Sequence, residues 1–162
     1  MALPGIRAPA HSVGGMPRVT AILVVQDGDG WLDGTLAALA RLTRRPDALV
    51  VVAEPTTRFR TEDLEAAGVT QVVTATGGGY GTGVARALRA VPPAEGAEEW
   101  LWLLRADSAP EPDALRALLA AVEVAPSVAV AGPKLVDPAD HARLRSYGET
   151  LSTRGATVVL VE

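Results

Sequence analysis

Apolar and polar positions alternate along this chain in a regular rhythm from about residue 18 onward. Val19–Val25 is a short, continuous apolar run, the pattern of a strand covered on both faces. Trp31–Thr43 follows with Leu32, Leu36, Leu39 and Leu42 at helical spacing. Ala48–Ala53 predicts a second buried strand, and Thr61–Ala67 a short helix closed by Gly68. Thr70–Ala75 predicts a third strand. After a glycine-rich turn, Gly83–Val91 predicts a helix with Val84, Leu88 and Val91 on one face. Trp100–Leu104, five apolar residues in a row, is expected to be the central strand. Pro112 suits a first helical position, and Leu115, Leu118, Leu119 and Val122 continue that helix. Ser127–Ala131 predicts a further strand stopped by Gly132-Pro133. Beyond it, Arg143–Leu151 and Thr157–Val161 are expected as strands flanking a turn at Arg154-Gly155.

Repeated strand–helix units imply an α/β fold: a mostly parallel sheet with right-handed crossovers and helices on both faces, three layers in all. Residues 1–17, rich in Pro, Gly and Ala, predict a flexible lead, leaving 18–162 as one domain. The chain stops at Glu162 directly after an apolar run, so the domain is expected to be truncated at its carboxyl end.

Composition removes several classes of chemistry. Cysteine is absent, which excludes disulfides, thiolate metal sites and cysteine nucleophiles together. The two histidines, His11 and His141, are far apart in sequence, which argues against a histidine metal site or a Ser/His/Asp triad. Net charge is −4, with fourteen Arg, a single lysine (Lys134) and no basic stripe, so no nucleic-acid footprint is present. No apolar stretch approaches the roughly 18 residues of a membrane helix, and none forms the core of a signal peptide. The expected location is cytoplasmic.

In an open parallel sheet, ligands bind beyond the carboxyl ends of the strands. Gln26-Asp27-Gly28-Asp29-Gly30 follows the first strand, Glu54-Pro55-Thr56-Thr57 the second, Thr76 to Gly83 the third, and Arg105-Ala106-Asp107-Ser108 the fourth. Strand ends are polar in any case, so each segment taken singly also fits a solvated loop. The glycine-rich stretch fails the dinucleotide fingerprint, because it follows the third strand and lacks the final small residue. It also fails the phosphate-loop pattern, which needs Gly-Lys-Ser/Thr. Its glycines still permit close backbone approach at a helix start, where amides can meet phosphate; a tight turn serves equally well. Asp107, just past an apolar strand, suits a carboxylate holding a hard divalent cation. Alternatively, Asp107 and Ser108 satisfy backbone donors before Pro110.

The segment Trp100-Leu-Trp-Leu-Leu-Arg-Ala-Asp-Ser-Ala-Pro-Glu-Pro-Asp-Ala-Leu115 resembles the metal-motif strand and following helix of family 2 glycosyltransferases of the GT-A fold. Gly81-Thr-Gly-Val-Ala-Arg-Ala-Leu88 is similar to the helix preceding that strand, and Val128-Ala-Val-Ala-Gly-Pro-Lys134 to the strand after it. The resemblance spans roughly residues 18–150. It implies a Rossmann-like nucleotide-sugar-binding domain, with Gln26, Asp27 and Glu54 at the nucleoside and Gly79 and Gly81 beside it. It also implies Asp107 as a metal ligand for Mg²⁺ or Mn²⁺, an NDP-sugar donor with UDP favoured, and a glycan or lipid-linked acceptor, as in cell-wall polysaccharide synthesis. Relatives continue into membrane-spanning segments, which would hold a longer parent protein at the inner face of the membrane. The family's catalytic base lies further downstream, beyond Glu162.

The metal motif is degenerate. Arg105-Ala106 stands where the family carries acidic residues or His-Asp, and Glu54 replaces an aspartate. Arg105 could supply part of the missing cation charge by pairing with phosphate. Two functions from different classes follow: an inverting glycosyltransferase domain, or a catalytically inactive pseudo-glycosyltransferase kept as a binding or scaffold module. A nucleotidyltransferase is disfavoured, because Gln26–Gly30 carries no basic residue. All of this requires the polar ends of neighbouring parallel strands to meet in one cleft, Asp107 included.

Overall fold

A computed structural model describes residues 17–26, 30–91, 99–125, 127–146, 148–151 and 157–159. The chain divides into two compact units, Met1–Arg116 and Ala117–Glu162. In the first unit the elements run β1 (Arg18–Val24), α1 (Leu32–Ala40), β2 (Ala48–Ala53), α2 (Thr61–Ala67), β3 (Gln71–Thr74), α3 (Tyr80–Ala90) and β4 (Glu99–Arg105). The four strands form one sheet in the order β3-β2-β1-β4. Every pairing is parallel. The fold is thus α/β, a parallel sheet flanked by helices.

Side-chain alternation along the strands decides which helix covers which face. Ala21, Leu23 and Val25 of the β1 segment, with Leu49, Val51 and Ala53 of β2, pack with Leu32, Leu36 and Leu39 of α1 and Ala67 of α2. The intervening residues Ile22, Val24, Val50 and Val52 pack with Ala87, Val84 and Leu88 of α3 on the opposite face. Both central strands are therefore sealed on two sides, which is why they read as unbroken apolar runs. Each such Val, Ile or Leu taken from water stabilises the fold by roughly 1.5–3 kcal/mol.

Polar side chains pin the sheet at both ends. At its amino edge the Val19 amide donates to Asp47 Oδ2 at 2.8 Å, and the Thr20 hydroxyl donates to Glu99 Oε1 at 2.6 Å. Burial works against the Asp47 carboxylate, yet the Val19 amide and Arg44 together hold its pKa below the ordinary value. At the carboxyl edge, fully buried Thr35 of α1 donates its hydroxyl to the Ala106 carbonyl at 2.7 Å.

Several boundaries differ from those the pattern predicts. The first helix stops at Ala40, because its last amides tighten to i−3 bonds and the Thr43 amide bonds the Pro112 carbonyl at 2.8 Å. The second ends as expected at Gly68, in the left-handed conformation with φ 78°. The third begins at Tyr80, not Gly83, so Gly81 lies inside its first turn. Trp100–Leu104 is a strand, but among the described residues it is not the central one. Among the described residues β4 is an edge, and Leu101 and Leu103 are 40% and 48% exposed. High apolar content marks burial on at least one face and does not rank strands within a sheet.

The division between the two units falls inside α4 (Ala114–Glu123). In the second unit, Ser127–Ala131 forms no strand, and Val130 is 88% exposed. Val128 donates its amide to Ala125 in a local turn, and the run finds no partner strand among the described residues. Short antiparallel pairs follow: β5 (Leu135–Val136) with β6 (Leu144–Ser146), and β7 (Glu149–Leu151) with β8 (Thr157–Val159). The predicted Arg143–Leu151 strand is thus broken near Gly148, whose φ is 76°. The turn expected at Arg154-Gly155 lies outside the described residues, as does almost all of the predicted lead. In the β5–β6 turn, Asp137 is buried and accepts from the Ala139 amide at 2.9 Å and from Arg145 Nε at 2.9 Å. Among the described residues no helix is long and apolar enough to cross a membrane.

Candidate functional site

Because all four strands of the first unit are parallel, their carboxyl ends open on one edge. A cleft of about 180 Å³ lies there. Val24, Val25 and Gln26 at the end of β1 form one wall, and Val52, Ala53 and Glu54 at the end of β2 form the next. Ala75, Gly77, Gly78 and Gly79, leaving β3, line the third side, and Gly83 of α3 lines the fourth. Most of its accessible lining is polar, with Gln26, Glu54 and the glycine turn set beside the apolar strand ends.

The glycines here have distinct physical reasons. Gly77 and Gly78 take φ of 60° and 89°, a left-handed conformation that side chains resist. Gly83 is required by packing: a Cβ there would lie 2.7 Å from Val24 Cγ1, so α3 approaches β1 through a missing side chain. Gly79 starts the helix in extended conformation, with no side-chain cap. No acidic residue stands in the first turn, so the positive end of the helix dipole is not offset by a side chain of that turn.

The fourth strand brings the remaining predicted residues to the same edge. Val24 lies opposite Arg105 in the sheet, so the segments that carry Gln26 and Asp107 leave neighbouring strands at the same edge. Arg105 grips Asp107 with two hydrogen bonds of 3.2 Å, Nε to Oδ1 and Nη2 to Oδ2. Both side chains remain at least half exposed. Tyr80, the first residue of α3, packs against the Ile22–Val52 layer. Burial raises its hydroxyl pKa, and the positive charge of Arg105 partly offsets that rise.

The structure therefore gathers Gln26, Glu54 and Gly79 into one cleft. Arg105 and Asp107 share its edge without lining it, and Gly81 is exposed on the first turn of α3. Asp27 lies outside the described residues. Tyr80, Gly77, Gly78 and Gly83 escaped the site prediction; the run Thr76-Gly-Gly-Gly-Tyr-Gly-Thr-Gly83 held the information, but only backbone angles and the Val24 contact sort it. A cation held at Asp107 meets a poor donor set. Both oxygens of that carboxylate are engaged by Arg105, and no group of three or more His, Asp or Glu comes together among the described residues.

No protein-family profile matches the sequence, and no curated protein matches it. Among solved structures, the chain is similar to a crystal structure of 4-diphosphocytidyl-2C-methyl-D-erythritol synthase. The TM-score is 0.49 and the identity 20%, over 88% of this chain and 71% of that one. At that identity the likeness concerns the fold alone.

Proposed function

We propose that this chain is the donor-binding part of a glycosyltransferase-type domain, of the family 2 kind. It would take a nucleotide-diphosphate sugar, UDP-sugar foremost, and serve transfer of the sugar to a glycan or lipid-linked acceptor. The observation that carries the reading is the convergence of Gln26, Glu54 and Gly77–Gly79 in one cleft at the carboxyl edge of a parallel sheet. The Gln26 amide can both donate to and accept from a base, and the Glu54 carboxylate can accept from ribose hydroxyls. At about 180 Å³ the cleft is smaller than the roughly 300–1,000 Å³ of whole-ligand pockets, so it suits the nucleoside end only. The diphosphate would then run along the edge toward the uncapped start of α3, where helix amides favour anions. Arg105 stands beside that path and could exchange Asp107 for phosphate in a charge-assisted contact.

A divalent ion would supply further charge for the leaving diphosphate, but the Arg105–Asp107 pair argues against a resident one, and no step here depends on it. No general base is assigned among the described residues. A lipid-linked acceptor would place the protein at the inner face of the membrane. The same ion pair favours a second reading, a catalytically inactive module that binds nucleotide without metal.

Calorimetric titration of UDP, GDP and their sugars, with and without Mn²⁺, separates these cases. Micromolar binding that is weakened at least tenfold in Glu54→Ala and lost in Arg105→Ala supports the site. Dependence on Mn²⁺ selects the transferase, and indifference to it selects the binding module. Absence of binding by any nucleotide refutes both.

A further inference from the structure

Arg105 and Asp107 stand where the family resemblance expects metal ligands, and they neutralise each other. Arg105 Nε donates to Asp107 Oδ1 and Nη2 to Oδ2, both at 3.2 Å. A guanidinium makes the same two-pronged contact with a phosphate group as with a carboxylate. The backbone arranges the pair in advance. Arg105 is the last residue of β4 and lies in register with Val24 of β1. The chain then turns at once: the Ser108 amide donates to the Arg105 carbonyl at 3.1 Å, and the buried Thr35 hydroxyl holds the Ala106 carbonyl at 2.7 Å. That turn returns the aspartate to the guanidinium, yet both side chains stay at least half exposed. An anion from solution can therefore reach Arg105 and displace the carboxylate.

We propose that Asp107 is a built-in competitor of the diphosphate, occupying on Arg105 the position that a phosphate group takes when nucleotide binds. The inference rests on the nucleotide reading above and concerns the control of that same site. It replaces the cation-ligand role that the resemblance implies for Asp107, because the donor set does not fit that role. Both carboxylate oxygens are engaged, and no group of three or more His, Asp or Glu comes together among the described residues. The arginine instead places a fixed positive charge beside the diphosphate path. Burial raises the pKa of Tyr80, the first residue of α3, and Arg105 partly offsets that rise, so the guanidinium acts electrostatically on the start of that helix. A singly charged anion only matches the carboxylate it must displace, whereas a diphosphate exceeds it in charge. The pair thus favours the more highly charged ligand. Competition is mild because the contact is exposed. Such a pair leaves Arg105 free in roughly one molecule in two to one in six, which weakens phosphate binding about twofold to sixfold.

The two roles of Asp107 predict opposite signs. Removing a cation ligand weakens nucleotide binding, and removing a competitor strengthens it. The test is calorimetric titration of the full chain and of Asp107→Asn with UDP and with uridine, each with and without Mn²⁺, after circular dichroism confirms the fold. Asp107→Asn should bind UDP about twofold to sixfold more tightly than the wild type, with or without Mn²⁺. Uridine, which carries no phosphate, should bind both proteins equally. Arg105→Ala/Asp107→Asn should bind UDP no better than Arg105→Ala, because the competition is for that arginine. UDP affinity that is unchanged or weakened in Asp107→Asn would overturn the proposal while leaving the nucleotide reading in place. So would an equal gain for uridine, or a gain that persists without Arg105. Absence of UDP binding by every protein would remove the nucleotide reading and this inference with it.

Discussion

Replacing Gly83 by alanine tests how α3 is seated on the sheet, and with it one wall of the cleft. In an exposed helix interior, the change from Gly to Ala stabilises by roughly 1 kcal/mol. Here the new Cβ would lie 2.7 Å from Val24 Cγ1, 3.2 Å from Cγ2 and 3.6 Å from Cβ. Both methyls crowd the position, so rotating the valine cannot clear it, and Val24 is only 5% exposed between β2 and β4. Overpacking of that kind costs about 1–3 kcal/mol. The clash outweighs the propensity gain, and Gly83→Ala should be destabilised by up to about 2 kcal/mol. Gly81→Ala, two residues earlier in the same helix with nothing within 4 Å of the new atom, should instead be stabilised by about 0.5 kcal/mol. Urea unfolding of both variants measures the difference. Removing the methyls as well, in Val24→Ala/Gly83→Ala, should recover stability relative to the sum of the single changes, a coupling of about 1–3 kcal/mol. Refutation would be a Gly83→Ala protein stabilised by about 1 kcal/mol, as helix propensity alone predicts, or strict additivity with Val24→Ala.

Two further perturbations probe how the segment after β4 is tied to α1 and to the loop that follows it. Thr35→Val removes the buried hydroxyl that holds the Ala106 carbonyl at 2.7 Å, at a cost of about 1–3 kcal/mol. The Ser108 amide, which bonds the Arg105 carbonyl at 3.1 Å, should then exchange faster with solvent deuterium; unchanged exchange would show that Thr35 does not restrain that turn. Asp113, bonded first by Arg116 and then by Thr43, has its pKa lowered from 3.8 to about 2. A depressed folded-state pKa stabilises above the unfolded value and is lost as pH falls through the folded one. The carboxyl carbon of Asp113 should therefore titrate near pH 2 by NMR, its stabilising effect fading as pH falls from about 4 toward 2. Arg116→Met should raise that midpoint, and an ordinary midpoint in the wild type would contradict the assignment.

How much of this was legible in the sequence depends on the range of the interaction responsible. The runs Val19–Val25 and Ala48–Ala53 announced two-sided burial, because every position of the inner strands is covered. Parallel topology then sufficed to bring Gln26 and Glu54 to one edge. Gly68 was recognisable as a helix stop because a left-handed cap is a local requirement. The place of β4 at the edge among the described residues was not legible, since Leu101 and Leu103 are as apolar as buried residues while nearly half exposed. Ser127–Ala131 reads as a strand and, among the described residues, lacks only a partner, which composition cannot supply. The early start of α3 was masked by Gly81 and Gly83, poor helix formers whose presence is explained by openness at one and by Val24 at the other. The pairing of Arg105 with Asp107 was likewise missed as an alternative to metal binding, because it forms only once the turn after β4 folds the aspartate back on the last residue of the strand.

The central claim is that a nucleotide is held where the ends of β1 and β2 meet the glycine turn before α3. The most direct measurement is a map of backbone amide shifts in ¹⁵N-labelled protein as UDP is titrated. Saturable shifts centred on Gln26, Glu54 and Gly77–Gly79, extending to Tyr80 and Arg105, are the predicted result. Shifts confined to the second unit, or none at millimolar UDP, would contradict it.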